Sequence, residues 1–134
     1  MQINVLLSIK PEFATAIFSG VKKFEFRRTI FKNKRVNKIY VYASNPTCLV
    51  LGELELYKIL TSDPESLWDA TKYAAGITKT SFDRYFHGVE IAHALEISNT
   101  RLYKNPLGLK EMFNIARPPQ SFMYVDSPIA SFDQ

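Results

Sequence analysis

Apolar side chains recur at every second residue in one short run after another along this chain, and that period belongs to β-strands. Ile3, Val5, Leu7 and Ile9 alternate with Asn4, Leu6 and Ser8. Between Lys38 and Ala43, Ile39, Val41 and Ala43 share one side and Tyr40 and Tyr42 the other. Val89, Ile91, His93, Leu95 and Ile97 oppose Glu90, Ala92, Ala94 and Glu96. The segment Cys48–Leu60 keeps its even positions small or apolar, while its odd positions switch from Leu49 and Leu51 to Glu53 and Glu55. Gly52 marks that switch, so a bulge or bend is expected there. Lys23–Arg28 places Phe24, Phe26 and Arg28 on one face and Lys23, Glu25 and Arg27 on the other. A last strand, Gln120–Val125, follows Pro118-Pro119.

Helices fill the intervals and are short. Pro11 suits a first helical turn, where its missing N–H would be unpaired anyway, and Phe13, Ile17 and Phe18 follow at helical spacing up to Gly20. Asp63-Pro64-Glu65 combines a capping acid, a proline at the first position and a second acid in the first turn. A further helix is expected over Thr80–Phe86, stopped by Gly88, and one helical turn around Leu109–Phe113 in an otherwise mixed stretch from Leu102. Ser44-Asn45-Pro46-Thr47 has turn chemistry. Five to six strands decorated by three or four short helices predict an α+β fold with a curved sheet or β-barrel. One domain over residues 1–126 is expected, with residues 127–134 as a frayed tail.

The chain has 134 residues and one cysteine, Cys48. That excludes an intrachain disulfide and a multi-thiolate metal site, and Cys48 reads as a small buried hydrophobe among Leu49, Val50 and Leu51. No metal-ligand cluster, glycine-rich phosphate loop or Ser-His-Asp spacing is found, so no metal and no cofactor are expected. His93, alone on an apolar face, reads as a hydrogen-bonded core histidine. No run approaches the roughly 18 apolar residues of a membrane helix, and no leader pattern precedes the first strand. A small soluble domain with a cytoplasmic location is expected.

Charge is unevenly placed. From Lys22 to Lys38 there are eight cations and one anion, a local charge of +7, so the rest of the chain carries −3 against the whole chain's +4. Such a block is the footprint of a polyanion-facing surface, or of a solvated loop in its Lys32–Lys38 half. A nucleotide or nucleic acid, RNA or DNA, is the expected ligand, with no membrane contact.

The densest signal lies inside that block: Gly20-Val21-Lys22-Lys23-Phe24-Glu25-Phe26-Arg27. It resembles the G-x-K-x-x-E-x-R pattern of ASCH domains, a branch of the PUA-like superfamily. Tyr42-Ala43-Ser44, Gly52-Glu53-Leu54 and Pro119-Gln120-Ser121-Phe122 resemble the same family, from about Val5 to Val125. The resemblance implies a PUA-like fold and recognition of RNA or a modified base. On the residues alone, Glu25 and Arg27 leave one strand face, where a carboxylate can accept from a base and a guanidinium can clamp a phosphate. The candidate nucleic-acid-binding set is Lys22, Lys23, Glu25, Arg27, Arg28, Ser44, Gln120 and Ser121. Tyr40 and Tyr42 are candidates for stacking on bases.

Two activities stay open on this sequence. One is a binding pocket lined by Lys22, Glu25 and Arg27. The other is a small hydrolase, an amidohydrolase on modified nucleosides or a ribonuclease, using Lys22 with Glu25 or Glu53. The amidohydrolase branch of the family implies a threonine three residues after the lysine, where Glu25 stands here, a poor substitute for an alkoxide nucleophile. Glu53 is expected to face the same cavity as Glu25. A protein-interaction domain is the third possibility.

Overall fold

The computed structural model describes residues 3–129, in which six strands and four short helices alternate. The strands are β1 (Ile3–Ile9), β2 (Phe24–Arg27), β3 (Val36–Ala43), β4 (Leu49–Ser62), β5 (Ala92–Leu107) and β6 (Phe122–Val125). The helices are α1 (Pro11–Phe18), α2 (Pro64–Thr71), α3 (Lys79–Tyr85) and α4 (Leu109–Phe113), with a 3-10 turn at Lys72–Ala74. One mixed sheet results, in the order β2-β5-β4-β3-β1-β6, with β1 and β3 parallel and the other pairs antiparallel.

The ladder does not close into a barrel: β2 and β6 are its two edges. Yet the sheet curls far enough to bring β2 beside β1 in space. Arg27 of β2 reaches the backbone carbonyl of Ser8 in β1 at 2.9 Å and the hydroxyl of Ser121, just before β6, at 3.4 Å. Side chains, not a backbone ladder, bridge the seam.

The curl encloses the main core, where Val5, Leu7 and Ile9 meet Ile39, Val41, Leu54 and Leu95 beneath Ala14 and Ile17 of α1. On the outside of β2 and β5, Phe24, Phe26, Ala92 and Ala94 pack under Leu67 of α2 and Phe82 of α3. β5 starts at Ala92 and not at Val89, because Val89 still belongs to the turn that ends α3, its N donating to Phe86 O at 3.1 Å. A third cluster, Leu6, Tyr40, Tyr42, Tyr103 and Met112, lies under α4 on the outside of β1 and β3.

Local chemistry accounts for the element ends. The Asp63 carboxylate accepts from Ser66 N at 3.0 Å and the Thr78 hydroxyl from Ser81 N at 3.1 Å, each capping its helix. The irregularity expected at Gly52 is present: the register shifts between Val41 and Tyr42 on β3 and between Val50 and Gly52 on β4. A Cβ on Gly52 would stand 2.3 Å from the Arg101 carbonyl and 2.8 Å from the Phe18 ring, so the close approach of α1 requires glycine. His93 is half-buried and bonded through Nδ1 to the Thr61 hydroxyl at 2.9 Å. Of the expected tail, Ile129 N donates to Met112 O at 2.8 Å, and residues 130–134 lie outside the described residues.

Candidate functional site

The seam opens into a cavity of about 860 Å³ at the C-terminal ends of β1 and β3. Its walls come from the elements that meet there: Ser8 and Ile9 of β1 with Lys10 after it, Phe13 of α1, Lys22 before β2 and Glu25, Phe26 and Arg27 on it, Tyr42 of β3 with Ser44 and Asn45 after it, Arg84 and Tyr85 of α3, and Pro118 to Gln120.

Lys22 is 2% exposed. Its backbone N donates to Ala16 O at 3.0 Å, and its ammonium donates to Ala75 O at 2.8 Å. The ammonium also sits 4.6 Å from the Phe26 ring centroid and 5.4 Å from that of Phe13, a cation held against aromatic faces. The stem lies on Gly76, where a Cβ would fall 2.4 Å from that of Lys22. Desolvation pushes the ammonium pKa down to about 8, with Glu25 opposing the shift.

Glu25 and Arg27, two apart on β2, share the inner face as the alternation requires. Glu25 lies opposite Leu95 of the main core. Burial raises its carboxyl above the ordinary carboxylate value, while Arg27 and Lys22 pull it back. Its Oε2 is 3.3 Å from the Arg27 guanidinium. Arg27 itself leaves a donor over: its buried Nε has no hydrogen-bond partner among the described residues. An unpaired buried donor costs about 1–3 kcal/mol.

The opposite wall is fixed by serines and a tyrosine. Ser8 Oγ donates to Pro119 O at 2.6 Å and Ser8 N to Ser121 O at 3.1 Å, tying the 118–121 segment to β1. Tyr42 stands beside Ser8 in register, and burial, with help from Cys48, pushes its hydroxyl up to about 12. Among the described residues no group of three or more His, Cys, Asp or Glu could hold a metal ion, and no helix is long and apolar enough to cross a membrane.

The structure thus brings together Lys22, Glu25, Arg27, Ser44 and Gln120, with Ser121 bound to Arg27 from behind. It separates the others. Lys23 is exposed and does not line the cavity. Arg28 turns outward and donates from one nitrogen to the carbonyls of Tyr85 and His87, at 2.8 and 3.1 Å. Glu53 faces away from the cavity: it pairs across β3 with Tyr40, on the outer face, while its neighbour Leu54 points inward. There Tyr103 donates to it at 2.9 Å and Lys38 lies 2.7 Å away. Tyr40 is buried in the outer cluster, which removes it as a stacking surface. Of the loop cations, Arg35 lies at the far end of β1, where Ile3 N meets Arg35 O, roughly 20 Å of strand away, while Lys32 sits midway, next to Phe31 packed on Phe122 and Asn33 bonded to Tyr124; none of Lys32, Lys34 and Arg35 lines the cavity.

Three site residues escaped the sequence. Ser8 was legible as the polar break on the second face of β1. Tyr85 at the end of α3 carried no signal apart from its helix. Cys48 is exposed on the cavity wall with a positive φ of 54°, not buried with its apolar neighbours, because the turn before β4 rotates it out.

A curled, unclosed sheet with its pocket at the seam defines an α+β domain of PUA-like architecture. The comparisons specify it further. The ASCH domain model matches residues 7–101, and the chain belongs to the ASCH domain family. It is 32% identical over 125 residues to the ASCH domain-containing ribonuclease of Zymomonas mobilis, covering 91% of this chain and 84% of that protein. It is 31% identical over 123 residues to a protein of Ureaplasma parvum serovar 3 named large ribosomal subunit protein uL22, covering 91% of this chain. The chain spans 39% of the length of that relative. The crystal structure of ASCH from Zymomonas mobilis superposes with a TM-score of 0.82 at 32% identity, covering 92% of this chain and 87% of the other. A tyrosine-to-phenylalanine mutant of the same protein gives 0.83 at 31% identity, covering 92% and 90%.

Proposed function

We propose that this ASCH domain binds single-stranded RNA and draws one nucleotide into the seam cavity. The observation that carries the reading is the unpaired Nε of Arg27 in a buried, positively charged wall. A phosphate or base oxygen meets the part of the Arg27 guanidinium that lines the cavity, and Glu25 accepts from a base amino group. Lys10 and Arg84 on the rim meet the flanking phosphates. A base inside a duplex cannot enter a hollow of this kind, so an unpaired strand is the fitting form. The ribonuclease relative supports RNA over DNA.

Fluorescence anisotropy with a labelled RNA tetranucleotide tests this. Arg27→Ala weakens binding at least tenfold and flattens the salt dependence, because one phosphate contact fewer releases fewer counterions. Arg27→Lys, which keeps the charge and loses the fork, restores only part of the affinity. Unchanged affinity and salt slope in folded Arg27→Ala would sink the assignment.

A second reading, RNA cleavage, is favoured by the same relative and by the two shifted groups. A 2′-hydroxyl attacks the adjacent phosphorus, its proton passes to a base, and the 5′-oxygen leaves with a proton from an acid, giving a 2′,3′-cyclic phosphate. Glu25, whose pKa burial raises, can exchange that proton, while Lys22 and Arg27 offset the growing negative charge. Glu25→Gln and Lys22→Ala then abolish cleavage in a gel assay, with Glu25→Gln still binding RNA. Amidohydrolysis is less suited, since Glu25 occupies the nucleophile position and faces Arg27.

A further inference from the structure

Four aromatic rings line the cavity, and they differ in what they offer a ligand. Phe26 and Tyr42 are each 5% exposed. Phe13 and Phe26 already face the Lys22 ammonium. Tyr85 is 40% exposed, on the wall formed by α3. A stacked base needs an accessible ring held in place beforehand, and Tyr85 is held on several sides. Its ring packs on Phe86 with centroids 4.8 Å apart and planes at 68°. Its hydroxyl accepts from Arg28 N at 3.3 Å. Its backbone carbonyl accepts from the Arg28 guanidinium at 2.8 Å, which also places a cation at the carbonyl end of α3. The phenol lies within electrostatic reach of both Arg27 and Glu25.

We infer that Tyr85 is the platform on which the captured base stacks, and that Arg28 is a positioning residue for it. This rests on the RNA reading of the cavity and adds to it the part of the nucleotide that each wall recognises. Arg27 and the rim cations take the phosphate side, and Tyr85 takes the π-face of the base. Because every base has such a face, the contact favours unpaired nucleotides with little choice among the four. Arg28 therefore acts on the ligand through the ring it orients and not through its own charge.

The test compares two labelled probes: an RNA tetranucleotide and an abasic ribose-phosphate chain of the same length. Tyr85→Ala lowers affinity for RNA by roughly tenfold and leaves affinity for the abasic chain unchanged. Tyr85→Phe and Tyr85→Trp stay within about twofold of the parent, in line with a stacking contact. The introduced tryptophan is quenched by RNA and not by the abasic chain. Arg28→Ala lowers the RNA affinity and spares the abasic chain. Should Tyr85→Ala fail to fold, Tyr85→Leu keeps the packing on Phe86 without the π-face and decides the point. Equal RNA affinity in the parent and in Tyr85→Ala, or an equal loss on both probes, overturns the stacking assignment and leaves RNA binding standing. A parent protein that binds neither probe removes the RNA reading, and this inference with it.

Discussion

Two buried glutamates sit on opposite faces of one sheet and have opposite fates. Glu25 and Glu53 are each 7% exposed, each on a strand and each beside a cation. Glu53 is fully engaged: Lys38 at 2.7 Å on one oxygen, Tyr103 at 2.9 Å on the other and Arg101 3.8 Å away. It stitches β3, β4 and β5 together on the outer face. Glu25 has one guanidinium nitrogen at 3.3 Å and a cavity in front of it. Burial alone does not mark a site; burial with polar capacity left over does.

That contrast can be broken, starting where the effect is largest. Glu53→Ala removes the buried carboxylate that ties Lys38 on β3 to Tyr103 on β5 and costs about 2–3 kcal/mol in urea unfolding, while RNA affinity of the folded protein is unchanged. A loss of RNA binding there would place both acids in one functional unit. Gly76→Ala has a positive φ of 70° and the Lys22 stem against it. It costs about 2 kcal/mol and also weakens RNA binding by displacing Lys22. Lys22→Met removes a desolvated charge and raises stability by about 1 kcal/mol at neutral pH while RNA affinity is lost, the trade expected of a site residue.

The pH dependence of stability sharpens the comparison. Glu25 holds its proton more tightly folded than unfolded, so its contribution is complete below the ordinary value of 4.5 and is lost as pH rises through the folded value. Lys22, lowered from 10.5 to about 8, holds its proton less tightly when folded, so stability rises across that interval. Urea midpoints over pH lose the first slope in Glu25→Gln and the second in Lys22→Met. The smallest effect belongs to the loop: replacing Lys32, Lys34 and Arg35 together by alanine changes tetranucleotide affinity by less than about twofold. A larger loss would extend the interface along the sheet.

Much of this was legible in the sequence, and the misses have physical causes. Pro11, the Asp63 cap, the turn of α4 and the bulge beside Gly52 follow from local chemistry. So does the shared face of Glu25 and Arg27, which needs only the strand period. The resemblance pointed to the family. What failed depended on pairing between distant segments. The face of Glu53 is set by its partner Tyr40 across β3, not by the bend beside it. The barrel expectation missed that β2 pairs with β5 and, among the described residues, forms no ladder with β1, to which Arg27 reaches by its side chain. The run of cations read as one block is cut by the fold into buried, outward and far-end groups. Tyr85 enters the site because α3 docks over β2, which nothing within α3 announces.

The seam has a consequence for the order in which the molecule becomes competent. Pro118, Pro119 and Gln120 wall the cavity, and Ser121 bonds to Arg27, yet all four arrive with β6, which among the described residues pairs with β1 at the edge of the sheet. An intermediate in which β1 to β5 have already assembled possesses most of its ladder and an unfinished hollow. On the proposed reading, nucleotide capture therefore needs the chain through Ser121, and a molecule in which that segment is not yet docked has an incomplete pocket.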